Sequence, residues 1–175
     1  MKVGDIILTN NTSFIARAIR LFMRRYAKKL GVHVDKFYNH AAICVEYEGK
    51  KLIAESMIKG VQIKQTPEEF LEHNPNHLIL TWIDPLSEKE QELVSDIAIN
   101  YSLMITRYDF ANFIQQIRLI NSGIWYGKTG EDASKRLYCS ELVAICMDAV
   151  RGVFPHWWSK NPLDIQLSEV LTPEA

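Results

Sequence analysis

The stretch that decides the fold of this 175-residue chain is residues 39–56, NHAAICVEYEGKKLIAES. Two runs rich in apolar and β-branched residues, 39–47 and 51–56, flank the short polar sequence Glu48-Gly49-Lys50. Glycine in a short polar break between two such runs is typical of a tight turn between antiparallel strands. The stretch therefore predicts a β-hairpin.

The length of the hairpin loop decides where Glu55 points. Residues two apart on a strand share a face, so His40, Ala42 and Cys44 lie together on one side of the first strand. A loop of two or four residues places Glu55 on that side, whereas a loop of three residues places it on the other. We predict the even loop, which places Glu55 opposite Ala42 or Cys44. Opposite Ala42, its carboxylate would be within reach of the His40 ring.

A candidate nucleophile lies far downstream, in Leu137-Tyr138-Cys139-Ser140-Glu141-Leu142-Val143. Cys139 stands where a polar loop is followed by an apolar helical run. It lies on the same helix face as the apolar residues of that run, so its side chain is expected to point inward. The N–H groups and the positive dipole end of a helix start favour a thiolate. With His40 as the base, folding would create a Cys/His pair suited to nucleophilic acyl chemistry, in which Glu55 orients the imidazole.

The remaining elements follow from capping residues and hydrophobic periodicity. Thr66 and Ser87 each begin a capping box at a helix start, and Asp109 is expected to cap a further helix that ends near Leu119. Residues 13–30 predict a helix with six basic residues and no acidic one. Further strands are predicted at 3–9, 60–64 and 77–83, the nucleophile helix at 139–150, a polar loop at 121–135 and a short helix after Asn161-Pro162. This mixture is typical of an α+β fold.

Composition narrows the class of protein. The length fits a single domain, here residues 1–175. The net charge of −1 gives no overall field for nucleic acid, so we expect no nucleic-acid partner. Three cysteines without CxxC spacing indicate neither a disulfide framework nor a zinc site, and we expect no metal or cofactor. Because we find neither a signal peptide nor an apolar run of about 18 residues, we expect a cytoplasmic protein.

Several motifs resemble, in their order and spacing, the circularly permuted NlpC-type hydrolases of the YiiX/YaeF-like group. The likeness covers most of the chain. The matching segments are Gly4-Asp5-Ile6-Ile7-Leu8, Asn39-His40-Ala41-Ala42-Ile43, Ile53-Ala54-Glu55-Ser56 with Gly60-Val61, Tyr108-Asp109, Tyr138-Cys139-Ser140-Glu141-Leu142-Val143 and Asn161-Pro162-Leu163-Asp164.

The resemblance implies a papain-like fold, with a central antiparallel sheet or barrel packed against helices. It also implies a cysteine peptidase or amidase in which Cys139 is the nucleophile, His40 the general base and Glu55 the orienting group. A peptidoglycan peptide is the substrate that the family suggests. Tyr138 is expected to line the site, and Cys44, on the His40 face, to contact substrate. The long stretch between the first strand and His40 departs from the family pattern.

Two other functions stay open. Lipid acyl transfer or thioester hydrolysis is the first, because permuted papain-like acyltransferases share the order of residues. Their second histidine is replaced here by Leu52, but the basic helix 13–30 is compatible with peripheral contact to an anionic membrane. A non-catalytic binding module is the second, and an unreactive Cys139 would favour it. The substrate would be a small peptide or an acyl compound, and the oligomeric state is not predicted.

Overall fold

A computed structural model describes residues 1–12, 14–104 and 136–174, together with residues 114, 115, 118, 119, 127 and 129. Within these residues an antiparallel sheet has the strand order β4-β3-β2-β1-β5-β6. The strands are β1 (Ile6–Thr9), β2 (His40–Tyr47), β3 (Lys50–Met57), β4 (Gly60–Gln65), β5 (His77–Trp82) and β6 (Leu171–Pro173). The α+β class is confirmed, and β6 is a strand that the sequence pattern did not predict.

The hairpin of β2 and β3 has the predicted even loop. Only Glu48 and Gly49 separate the two strands, and both have positive φ, 51° and 72°. Left-handed conformations at both loop residues match the twist of the flanking strands and favour glycine. Glu55 consequently pairs with Ala42 and lies on the face of His40, as the even loop predicts.

The described residues include five helices that fall in predicted helical segments. They are α1 (Phe14–Leu30), α2 (Pro67–His73), α3 (Glu88–Leu103), α4 (Cys139–Arg151) and α5 (Pro162–Gln166), with a 3₁₀ turn at Trp157–Ser159. Thr66 and Ser87 form the expected capping boxes of α2 and α3. The α4 helix ends at Gly152, whose φ of 62° lies in the left-handed region. The predicted helix from Asp109 to Leu119 and the loop 121–135 lie largely outside the described residues.

Both faces of the sheet are covered. The side of Ala41 and Ile43 packs with residues of α3 and α4 in the main core. The opposite side carries Ala42 and Cys44, which form a smaller cluster with Phe70 of α2. Helix α1 packs against α5, where Met23 and Ala27 of α1 form a third cluster with Leu163 of α5. In the described part of the chain no helix is long and apolar enough to cross a membrane.

Candidate active site

Cys139 is the first residue of α4. Its side chain is buried, with 3 % exposed, inside the start of the helix. Tyr138 precedes it in an extended conformation, and the Glu141 carboxylate accepts the Tyr138 N–H at 2.9 Å. This bond closes the helix start, since the first N–H groups of a helix have no partner within it. The sulfur is therefore held at a helix start, beside the backbone N–H group of Ser140.

His40 is the first residue of β2, and Glu55 lies on the neighbouring strand β3. The Nε2 atom of His40 lies 2.8 Å from Oε2 of Glu55, and the two side chains are 16 % and 19 % exposed. The hairpin register brings them together, because Glu55 pairs with Ala42, two residues beyond His40 on the same face. A carboxylate at Nε2 fixes the imidazole orientation and stabilises its protonated form.

The Cys139 side chain is hydrogen-bonded to the imidazole of His40. Since Nε2 is held by Glu55, Nδ1 is the ring nitrogen left to face the sulfur. The structure thus brings together the three residues predicted as a catalytic group.

The electrostatics of the pair favour charge separation. Burial alone would raise the pKa of the Cys139 thiol, but His40 and the backbone N–H groups of Ala41 and Ser140 overcome it, and the pKa is lowered. Burial likewise disfavours a charged His40, but interaction with Cys139 and then Glu55 raises its pKa to about 10. A lowered thiol pKa beside a raised imidazole pKa favours the thiolate–imidazolium form of the pair over the neutral form.

Three hydrogen bonds anchor the segment that carries Cys139. Ser56 of β3 donates its hydroxyl to the Leu137 carbonyl at 2.6 Å. The hydroxyls of Tyr138 and Ser140 both donate to the Lys160 carbonyl, each at 2.9 Å. The sequence pattern singled out none of these bonds, because each joins segments distant along the chain.

A second polar network holds the start of β2. The buried side-chain amide of Asn39 donates to Asn10 Oδ1 at 2.9 Å and to the Asn11 carbonyl at 3.0 Å, while its own Oδ1 accepts from the Asn11 N–H. Arg20 of α1 donates to the same two oxygen atoms. Asn39 directly precedes His40, so the network fixes the point from which the imidazole projects. Its position beside the histidine was the only signal in the sequence.

A cavity of about 240 Å³ opens against His40 and Glu55. Its walls are mixed: Asn39 is polar, whereas Ile19 of α1 and Ile58, after β3, are apolar. A cavity with a few polar groups among apolar walls is the usual form of a small-molecule site. Substrate can therefore approach the imidazole from this side of the sheet.

Tyr138 and Cys44, predicted as substrate contacts, are both buried in the structure. The Tyr138 ring is buried, and its hydroxyl is bonded to the Lys160 carbonyl. Cys44 is fully buried beside Ile7 and Ile53, and burial raises its pKa to about 12. Neither is among the described residues that line the cavity, so a substrate contact by either stays a prediction.

A cysteine at a helix start, hydrogen-bonded to a histidine on an antiparallel sheet, defines a papain-like arrangement. Here the histidine strand precedes the cysteine helix in the chain, as expected of a permuted member of that class. Residues 1–155 match the family described as the permuted papain-like amidase enzyme, YaeF/YiiX, C92 family. The chain belongs to this family.

A solved structure with the same fold supports this assignment. The chain is similar to the crystal structure of the metalloprotein yiiX from Escherichia coli O157:H7, with a TM-score of 0.68 and 17 % sequence identity. The similarity covers 99 % of this chain and 96 % of that one. No curated protein matches the chain. In the described residues, no three His, Cys, Asp or Glu side chains are grouped so that they could hold a metal ion.

Proposed function

We propose that the protein is a cysteine amidase or peptidase in which Cys139, His40 and Glu55 form the catalytic group. The observation that carries this proposal is the shared imidazole: His40 is bonded at once to the Cys139 side chain and, at 2.8 Å, to the Glu55 carboxylate. A buried cysteine with a purely structural role would need neither partner.

In the acylation step, the Cys139 thiolate attacks the carbonyl carbon of an amide. Backbone N–H groups at the start of α4, including that of Cys139, stabilise the negative charge that develops on the oxygen. The His40 imidazolium then gives its proton to the leaving amine as the C–N bond breaks. The products of this half-reaction are a free amine and a thioester of Cys139, with His40 neutral.

Water completes the cycle. Neutral His40 takes a proton from a water molecule whose oxygen attacks the thioester carbonyl, and the C–S bond breaks to release a carboxylic acid. The thiolate and the imidazolium are thereby restored. Glu55 holds Nε2 throughout, so that Nδ1 keeps facing the sulfur.

A peptide of the bacterial cell wall, such as one containing γ-D-glutamyl and diaminopimelate residues, is the substrate we propose first. Transfer or hydrolysis of a lipid acyl group is the second candidate, because α1 exposes several cations beside the cavity. Incubation with cell-wall peptides and with acyl esters and thioesters, followed by mass spectrometry of the products, separates the two.

Replacing Cys139 with alanine tests the catalytic assignment. We expect turnover of whichever substrate is found to fall by more than about 10³-fold, because the nucleophile is removed while binding is left intact. Cys146→Ala is the matched control, since Cys146 is a fully buried core residue of the same helix. Retained turnover in Cys139→Ala, with circular dichroism showing a folded protein, would overturn the proposal.

A further inference from the structure

The exposed face of α1 is an unusual surface for a chain with a net charge of −1. Six of the twenty lysine and arginine residues fall within this helix, which contains no acidic residue. Four of the six are exposed and make no ion pair within the described part of the chain: Arg17, Arg24, Arg25 and Lys28. We call these four residues and Leu21 the basic face.

The basic face is narrow and continuous. Its residues occupy positions i, i+4, i+7, i+8 and i+11, which fall within an arc of about 100° at 3.6 residues per turn. Leu21 lies in the middle of this arc and is 49 % exposed. The opposite side of the helix, which includes Met23 and Ala27, is buried against α5. The apolar side of α1 is thus already used for packing.

We propose that the basic face binds the surface of an anionic phospholipid bilayer. The argument is charge complementarity: four exposed cations that make no ion pair with any described residue match a dense array of lipid phosphates. An exposed leucine among the cations favours a bilayer over a nucleic acid, because it can enter the headgroup region but gains nothing from a phosphodiester backbone. Since the apolar side of α1 is docked on the protein, the contact is peripheral.

The position of α1 gives this surface a functional consequence. Ala16 and Ile19 of the same helix line the cavity at His40, and Ile58, 66 % exposed, lies at the cavity as well. With the basic face on a bilayer, the cavity lies about one helix diameter, 10–12 Å, from the headgroups. A substrate held at the bilayer surface would then be close to the imidazole. The binding itself does not depend on the proposed catalysis.

Vesicle co-sedimentation tests the inference. The wild-type protein is expected to bind vesicles of phosphatidylcholine mixed with phosphatidylglycerol and not to bind vesicles of phosphatidylcholine alone. Salt is expected to release the bound protein. A quadruple variant should lose roughly five-fold in vesicle affinity for each cation removed. It combines Arg17→Gln, Arg24→Gln, Arg25→Gln and Lys28→Gln. Leu21→Gln should weaken binding to vesicles, with no change in elution from a heparin column.

The matched control removes the same charge elsewhere. Lys2, Lys50, Lys64 and Lys89 are exposed and lie outside α1, and changing all four to glutamine should leave vesicle binding intact. If both quadruple variants lost vesicle binding equally, the binding would depend only on net charge, and this result would overturn the inference. So would binding to a DNA duplex without binding to vesicles. Cys139→Ala should bind vesicles as the wild type does, so failure of the catalytic proposal would be seen separately.

Discussion

At the scale of single residues, the site depends on opposite pKa shifts in two buried groups. The pKa of Cys139 is lowered and that of His40 is raised to about 10. Each shift is caused largely by the other group, because a thiolate stabilises an adjacent imidazolium and the reverse. Burial has the largest effect at the other two cysteines and raises the pKa of both Cys44 and Cys146 to about 12.

The first prediction concerns alkylation by iodoacetamide. A thiolate forms as the pH rises through the thiol pKa, so a lowered pKa moves the reactivity of Cys139 to lower pH than that of an ordinary thiol. We expect Cys139 to be alkylated at neutral pH while Cys44 and Cys146 stay unmodified. Site-resolved mass spectrometry over a pH series measures this directly.

Two variants sharpen that experiment. His40→Ala removes the cation, so the pH at which Cys139 becomes reactive should move upward. Glu55→Gln should move it in the same direction but by less, because Glu55 acts on the sulfur only through His40. A Cys139 that stays unmodified at neutral pH in the wild type would favour a non-catalytic binding module.

At the scale of elements, the nucleophile is positioned by bonds between β3 and the chain that enters α4. The Ser56 hydroxyl and the Leu137 carbonyl are both buried, and the bond between them spans 2.6 Å. A hydrogen bond to the segment just before Cys139 fixes the position of the start of α4 relative to β3. Placement of the sulfur thus depends on β3, the same strand that carries Glu55.

The second prediction is that Ser56→Ala lowers both stability and the reactivity of Cys139. It leaves the Leu137 carbonyl buried without this donor, at a cost of about 1–3 kcal/mol in the free energy of unfolding. The entry to α4 should also loosen, so alkylation at neutral pH should slow. Denaturant unfolding and the alkylation rate measure the two effects.

Ser95→Ala is the matched control for Ser56→Ala. The Ser95 hydroxyl accepts from the Glu46 N–H and donates to the Gln91 carbonyl, and the residue is buried on α3, a helix that carries none of the catalytic group. A comparable loss of stability with unchanged alkylation of Cys139 is expected. If both variants slow alkylation equally, Ser56 has only a general structural role.

At the scale of the whole molecule, the two ends of the chain meet where α1 packs on α5. Tyr26 of α1 is hydrogen-bonded to Asp164 of α5, and the Tyr26 pKa is raised to about 12 by burial and by this carboxylate. Burial also raises the pKa of Asp164, although the bond from Tyr26 opposes the rise. The contact holds α1 in place as one wall of the cavity.

The third prediction is that Tyr26→Phe lowers the free energy of unfolding by about 1–2 kcal/mol at neutral pH. A carboxyl group whose folded pKa is raised destabilises the fold above that pKa and ceases to do so as the pH falls through it. The deficit of the variant should therefore shrink in acid. Tyr47→Phe, at an exposed position, should change stability little at any pH.

Thermal or denaturant unfolding at several pH values distinguishes these outcomes. A deficit in Tyr26→Phe that stays constant with pH would show that the lost bond does not act on the Asp164 carboxylate. Loss of the cavity wall should also be visible as faster proteolysis within α1.

The sequence alone determined the features that depend on a few neighbouring residues. Capping boxes at Thr66 and Ser87, the glycine turn at Gly49, and the start of a helix at Cys139 are local preferences of the backbone. The shared face of Glu55 and His40 was predicted from an even loop, and the two-residue loop of the structure confirms it.

Only the tertiary structure decided what joins distant segments. Three sets of contacts join segments that are distant in the sequence. They are the bond between Cys139 and His40, the hydrogen bonds from Ser56 and to Lys160, and the network around Asn39. Packing buries both Tyr138 and Cys44, and a substrate contact by either stays a prediction. Local preferences determine which elements form, but close packing of all of them at once determines which side chains meet.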